Sequence, residues 1–187
     1  MNITNAINYK GTVTVKLQNK KTVRRNTATK HMFELLLRVL GRQQFTSQST
    51  PLYITILDNK EAGQTGGELS VTKVIEAPTY SNYKQECILN RLLLATPTVQ
   101  FEKEPYSLTF LTTFDVSSLT STQGFSNADK DGIVCLVDGH QQSILAVTTI
   151  DRIIIADLAS NPSHQAVIEW KIELTSIEPK TDTEEET

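Results

Sequence analysis

The sequence lacks most of the features that mark an enzyme, a disulfide-stapled scaffold or a membrane protein. It has two cysteines, too few for a disulfide framework, and three histidines among 187 residues. The strongest apolar run, Ile153–Ile155, has the length of a strand and not of a bilayer span. The first eight residues contain no basic stretch followed by an apolar one, so no signal peptide is expected. We predict a soluble chain, made in the cytoplasm, with buried thiols at Cys87 and Cys135; a single bridge between them is the alternative.

Motifs for catalysis and cofactor binding are missing as well. There is no nucleophile elbow, no zinc-ligand spacing, no P-loop and no dinucleotide fingerprint. The histidines fall at a helix start and in two turns, where exposed or capping roles account for them: His31, His140 and His164. We therefore predict no enzymatic activity and no organic cofactor. A catalytic site would need carboxylates gathered from distant strands, for instance Asp115, Asp138 and Asp157.

Most of what is present has the period of β-structure. Apolar and polar residues alternate in a hairpin over 9–29 and in strands over 51–178. The clearest strand is the last, in which Ile168, Trp170 and Ile172 point to one side. We predict a single domain over 1–178, a mainly β chain folded as an antiparallel β-sandwich or jelly-roll. Residues 179–187 have no apolar side chain and are predicted to form a disordered acidic tail.

Three further apolar runs are also predicted as strands, and one segment as a helix. The strand predictions cover Leu69–Ile75, Glu86–Leu94 and Arg152–Leu158. Residues 30–42 have the helical period instead, with apolar residues over more than half of the surface, which predicts a buried N-terminal helix. Thr29 is placed to cap its start.

One acidic segment has the spacing of a calcium loop. Oxygen ligands fall at alternate positions around Gly132, which suits a hard cation. The candidate metal ligands are Asn127, Asp129, Asp131 and Asp138. An acidic turn entering a strand explains the same residues without a metal, because the bidentate Glu and the flanking helices of such loops are missing.

A cluster of cations lies on the first hairpin. Its members are Lys20, Lys21, Arg24 and Arg25. No aromatic residues are interleaved to stack on bases, so specific nucleic-acid binding is not indicated. We predict an interface that docks an acidic neighbour, which could be a second copy of this chain, since the tail has the opposite charge. A solvated hairpin is the alternative.

The order of these segments resembles the small structural proteins of tailed bacteriophages. The resemblance covers residues 9–175: the hairpin beginning Tyr9-Lys10-Gly11-Thr12-Val13, the polar stretch 26–29, the apolar helix, and a β body closing on Val167–Leu174. Such chains occur among head, neck and tail accessory proteins, including those of the crAss-like group. The resemblance implies a homo-oligomer in the virion, bound to portal, capsid or tail proteins, with no enzymatic activity and no membrane partner.

The resulting functional expectation is a structural virion component. The alternative is a carbohydrate- or receptor-binding β-sandwich, which would need exposed aromatic side chains grouped together. Tyr80 and Tyr83 are the candidates for such a group.

Overall fold

The computed structural model describes residues 6–40, 51–58, 61–62, 67–100, 105–119, 131–140 and 142–177. The described chain is mainly β, and its body consists of two antiparallel sheets of five strands. Sheet A contains, in spatial order, β2 (Lys20–Arg25), β1 (Ala6–Leu17), β12 (Gln165–Ile177), β9 (Tyr106–Asp115) and β8 (Thr96–Gln100). Sheet B contains β3 (Thr27–Ala28), β11 (Ile144–Ile150), β10 (Gly132–Asp138), β4 (Leu52–Leu57) and β7 (Leu93–Leu94).

The remaining elements are short. A small pair of strands is formed by β5 (Glu61–Ala62) and β6 (Gly67–Glu68). The helices are α1 (Lys30–Leu40), α2 (Val71–Glu76) and α3 (Arg152–Ser160). None of the helices in the described ranges has the length and apolar character needed to cross a membrane.

One hydrophobic core joins the two sheets. Val13, Phe110 and Trp170 of sheet A belong to the same buried cluster as Ile54 and Val134 of sheet B. The alternation predicted for the last strand is confirmed, because Ile168, Trp170 and Ile172 are all buried in that cluster. A buried side chain of this size contributes about 1.5–3 kcal/mol through the area that it removes from water.

Sheet B is covered on its other face too. Ile133, Cys135 and Val137 of β10 alternate with the core residues and belong to a second buried cluster, which includes Val74 of α2 and Tyr80. This double covering explains why β10 is buried along its whole length and reads as a continuous apolar run.

The chain itself connects the sheets at both sides. On one side, β2 ends at Arg25 in sheet A and β3 begins at Thr27 in sheet B. On the other side, β7 lies at the edge of sheet B and leads through Ala95 into β8 at the edge of sheet A. Ala95 is itself buried, and its N–H donates to the carbonyl of Leu52. These two crossings place β2 and β8 at the opposite edges of sheet A.

Two of the predicted strands are helices. The prediction for Arg152–Leu158 is wrong because Asp151 caps a helix there: its carboxylate accepts the N–H of Ile153 at 2.9 Å. The prediction for Leu69–Ile75 is wrong for the same kind of reason, since the Ser70 hydroxyl accepts the N–H of Lys73 at the start of α2. In both segments a local cap outweighs the β-preference of the branched residues that follow it.

The segment predicted as a strand over Glu86–Leu94 is mostly irregular. Only Leu93–Leu94 is a strand, and Cys87 and Leu89 form isolated bridges to Leu57 and Leu119. The reason is that apolar side chains fill the core here without a regular partner strand: Ile88, Leu89 and Leu93 are buried.

The helix α1 occupies Lys30–Leu40, within the segment predicted as helical. Of its described side chains Met32 is buried, whereas Phe33 is 51% exposed, so the prediction of a buried helix is wrong for Phe33. Thr29 does not cap it with its side chain; its hydroxyl donates across to the carbonyl of Ile144 at 2.6 Å and so ties the helix start to β11. The predicted tail, 179–187, lies outside the described residues.

Candidate interaction surfaces

The predicted basic interface forms one edge of sheet A. All four of its residues lie on β2, whose side chains are exposed apart from the half-buried Thr22. Because β2 pairs only with β1 along Lys20–Arg25, the opposite side of this strand has no partner strand within the described chain. The carbonyl of Arg25 accepts the Thr148 hydroxyl at 2.7 Å, which closes the end of the edge against β11. The open part of the backbone therefore runs from Lys20 to Arg24, and the side chain of Arg25 remains exposed beside it.

The cations of this edge, termed here the basic edge, point to both faces of the sheet. Lys21 and Arg25 pair with Lys16 and Thr12, on the outer face. Arg24 pairs with Val13, on the side that faces the core. The strand thus presents positive charge above and below its free backbone.

Neighbouring lysines are neutralised, in contrast to most of the basic edge. On β1, Lys10 and Lys16 form ion pairs with Glu173 and Glu169 of β12 at 3.4 and 3.0 Å. A hydrogen bond from Lys171 holds the pKa of the Glu173 carboxyl below its usual value.

Within the basic edge itself, Lys20 donates to Asp157 of α3 at 2.9 Å, and this bond lowers the pKa of that carboxyl. Among the described residues, no carboxylate forms an ion pair with Lys21, Arg24 or Arg25. Three exposed cations of this edge therefore have no carboxylate partner in the part of the chain that the structure describes.

The other edge of sheet A has a different character. β8 is exposed at every residue and carries no charge, and it contains Pro97, a residue that edge strands tolerate. Exposed apolar side chains surround it: Val99 on the strand, Leu111 on β9 and Leu94 on β7. The sequence does not reveal this surface, because the residues that form it come from three separate strands.

An open groove lies beside β8, where the chain crosses between the sheets. Its volume is about 490 Å³, and its lining includes Arg91, Leu94, Leu111, Thr112 and Thr113. The groove exists because β8 pairs with β9 only as far as Thr96 and Leu111, and the following residues of β9 have no strand on that side within the described ranges.

Of the predicted calcium ligands, the two that the structure describes do not lie together. Asn127 and Asp129 lie outside the described residues. Asp131 immediately precedes the seven-residue strand β10, and Asp138 is its last residue. About 20 Å of extended chain therefore separates them. Calcium ligands lie about 2.4 Å from the ion, so these two carboxylates cannot bind the same one. Asp138 instead accepts the N–H of His140 at 2.8 Å in the β10–β11 turn.

The carboxylates considered for catalysis each have a local partner. The Ser117 hydroxyl donates to Asp115, and this bond lowers the pKa of the carboxyl. Asp157 is bonded to Lys20 and Asp138 to His140. In the part of the chain that the structure describes, no three His, Cys, Asp or Glu side chains are grouped as a metal site would require.

The two tyrosines proposed as an exposed aromatic group are buried, which corrects that prediction. Tyr83 donates to the carbonyl of Ala77 at 3.0 Å, and Tyr80 lies 3.3 Å from the thiol of Cys87. Burial raises the pKa values of both phenols. They belong to the cluster that covers sheet B, because a short 3-10 turn over Tyr80–Tyr83 directs their rings inward.

No disulfide joins Cys87 to Cys135. Cys135 is completely buried, and this burial raises its pKa strongly. Cys87 is half-buried at the edge of the same cluster, so the prediction of a buried thiol holds for Cys135 and only in part for Cys87.

Comparison with protein-family models, with curated proteins and with solved structures finds no match for this chain.

Proposed function

We propose that the protein is a structural component that assembles through the edges of sheet A. The observation that carries this proposal is that sheet A has two unlike edges. One edge strand, β2, is basic; the other, β8, is uncharged and has exposed apolar side chains beside it. Exposed strand edges are templates for pairing with another chain, and unlike edges favour head-to-tail contacts, which close into rings when the rotation between copies allows closure.

We infer that the sheets form a sandwich, because side chains from both lie in one core cluster. The strand order is β2-β1-β12-β9-β8 in sheet A and β3-β11-β10-β4-β7 in sheet B.

We place this assembly role in the virion of a tailed bacteriophage, as a head, neck or tail accessory protein. The support is the order of hairpin, polar stretch, helix and β body in the sequence, which resembles that of such proteins. In that setting the partners are further copies of the chain and portal, capsid or tail proteins.

A second candidate function is a carbohydrate- or receptor-binding module. The groove beside β8 favours it, since its volume falls within the range of small-ligand sites. The burial of Tyr80 and Tyr83 weighs against it, because neither ring is available to stack on a sugar. A glycan array that gives a hit abolished by Leu111→Asp would favour this second function.

The test of the assembly proposal is the oligomeric state of the purified chain. We expect size-exclusion chromatography with light scattering to give a discrete oligomer, such as a trimer or hexamer. Reversing the charge at Arg24→Glu and Arg25→Glu should shift it towards monomer, because it removes the positive charge by which the basic edge attracts a partner.

A matched control carries the same change of charge elsewhere. Lys73→Glu with Lys84→Glu alters two exposed lysines outside both sheets, and it should leave the oligomer intact. A wild-type chain that stays monomeric at every concentration would contradict self-assembly.

A further inference from the structure

We propose that the basic edge binds residues 178–187 of a second copy of this chain. The inference rests on the proposed function, for which it names the partner and the contact. The segment begins where β12 ends, at Ile177. It contains five carboxylates and one lysine: Glu178, Lys180, Asp182, Glu184, Glu185 and Glu186.

The charges on the two sides are complementary. Lys21, Arg24 and Arg25 have no described carboxylate partner, whereas the lysines of β1 are already paired with β12. The basic edge is therefore the part of sheet A that attracts an acidic segment. Cations on an edge strand also repel a second copy of the same strand, so two basic edges do not pair with each other.

The spacing of the charges suits strand addition. Arg24 and Arg25 are adjacent and point to opposite faces of the sheet. An extended segment also alternates its side chains, so the adjacent Glu184 and Glu185 would present one carboxylate to each face. Directly opposed residues on paired strands lie on the same face, where opposite charges stabilise the pair.

The direction of β12 favours a second copy over the same chain. Ile177 pairs with Ala6, whereas Arg25 pairs with Thr12, six residues along β1. The chain therefore leaves β12 while running away from the basic edge, and it would have to reverse to reach its own β2. A neighbour placed ahead of β12 needs no reversal, and ten residues span about 33 Å. Exchange of such segments is a common way to join copies.

Binding of a synthetic peptide gives the first test. The receptor is the full chain with its own acidic segment neutralised by Asp182→Asn, Glu184→Gln, Glu185→Gln and Glu186→Gln. A fluorescent peptide with the sequence of residues 178–187 should bind it, and binding should weaken as salt is added. Adding Arg24→Glu and Arg25→Glu should weaken binding about tenfold or more, whereas Lys73→Glu with Lys84→Glu should not. A peptide that fails to bind, or that binds equally well after reversal of both arginines, overturns the inference.

A mixing experiment tests whether the contact joins two copies. The neutralised chain keeps a basic edge, and the Arg24→Glu, Arg25→Glu chain keeps an acidic segment. Each alone should be monomeric, and together they should form a mixed dimer in size-exclusion chromatography. Peptide binding without a mixed dimer would overturn contact between copies and place the segment on its own chain.

The same experiments separate this inference from the proposed function. If both variants remain oligomeric, the assembly stands but uses another surface, and the inference alone falls. If the wild-type chain is monomeric and the peptide does not bind, both fall.

Discussion

Tyr9 lies near the start of β1, and its hydroxyl donates to the side-chain oxygen of Asn26 at 2.8 Å. Burial raises the pKa of this phenol from 10.0 to about 12, although the bond to Asn26 acts in the opposite direction. Asn26 also lies against Gly11, where an added Cβ would overlap its carboxamide. These residues fix the point at which the chain leaves sheet A for sheet B.

The raised pKa of Tyr9 predicts a loss of stability in alkali. The unfolded chain ionises this phenol near pH 10, and the folded chain does so only near pH 12, so the contribution is complete below pH 10 and is lost as the pH rises towards 12. By pH 11 the free energy of unfolding should fall by about 1 kcal/mol from this residue.

Urea unfolding at pH 8, 10 and 11 measures this loss, with Tyr9→Phe as the comparison. The variant should lose less stability than the wild type over that range. Tyr80 and Tyr83 remain in both proteins and add the same loss to each. Parallel curves for the two proteins above pH 10 would contradict the assignment to Tyr9.

Single residues in regular strands are where the sequence was most informative. The period of two placed Trp170 inside, and it is fully buried. Tyr80 and Tyr83 were misjudged because their direction depends on a 3-10 turn and on contacts with Lys73 and Ala77. Contacts of that kind have no periodic signature in the sequence.

At the scale of elements, α3 shows how a cap can outweigh the residues that follow it. Three consecutive isoleucines favour a strand, yet Ile154, Ile155 and Leu158 are buried while Ile153 is 65% exposed, which is a helical pattern. The signal that could have indicated this was Asp151, an N-cap residue immediately before the run.

The cap of α3 gives a prediction about stability. Asp151→Ala removes the acceptor for the N–H of Ile153 and should lower the free energy of unfolding by about 1 kcal/mol. Asp151→Asn is the matched control, because asparagine caps helices about as well as aspartate. Urea unfolding curves of the three proteins measure the difference. Equal losses in both variants would mean that the charge of Asp151, and not its capping bond, stabilises this region.

At the scale of the whole molecule, the sequence predicted the β class but not the arrangement of the strands. The four cations were found because they lie within six residues of the sequence. That β2 is an edge strand follows from β1 pairing with β12 across about 150 to 170 residues, and the groove follows from the separate crossing at β7 and β8. Long-range pairings of this kind are set by the packing of the complete fold, so local periodicity cannot reveal them.

Assembly through the basic edge should make the melting temperature depend on protein concentration. Association stabilises the folded chain by mass action, so the wild-type melting temperature should rise as the protein is concentrated. The chain with its acidic segment neutralised should show no such rise. At high dilution the two should melt at the same temperature, because residues 179–187 have no apolar side chain to bury.

Differential scanning fluorimetry over a hundredfold range of concentration makes this measurement, and the same series in high salt is the control. Salt screens exposed charges and should abolish the rise in the wild type while affecting the neutralised chain little. A lower melting temperature for the neutralised chain even at high dilution would contradict the inference. The acidic segment would then stabilise its own chain, and the basic edge would be covered from within the monomer.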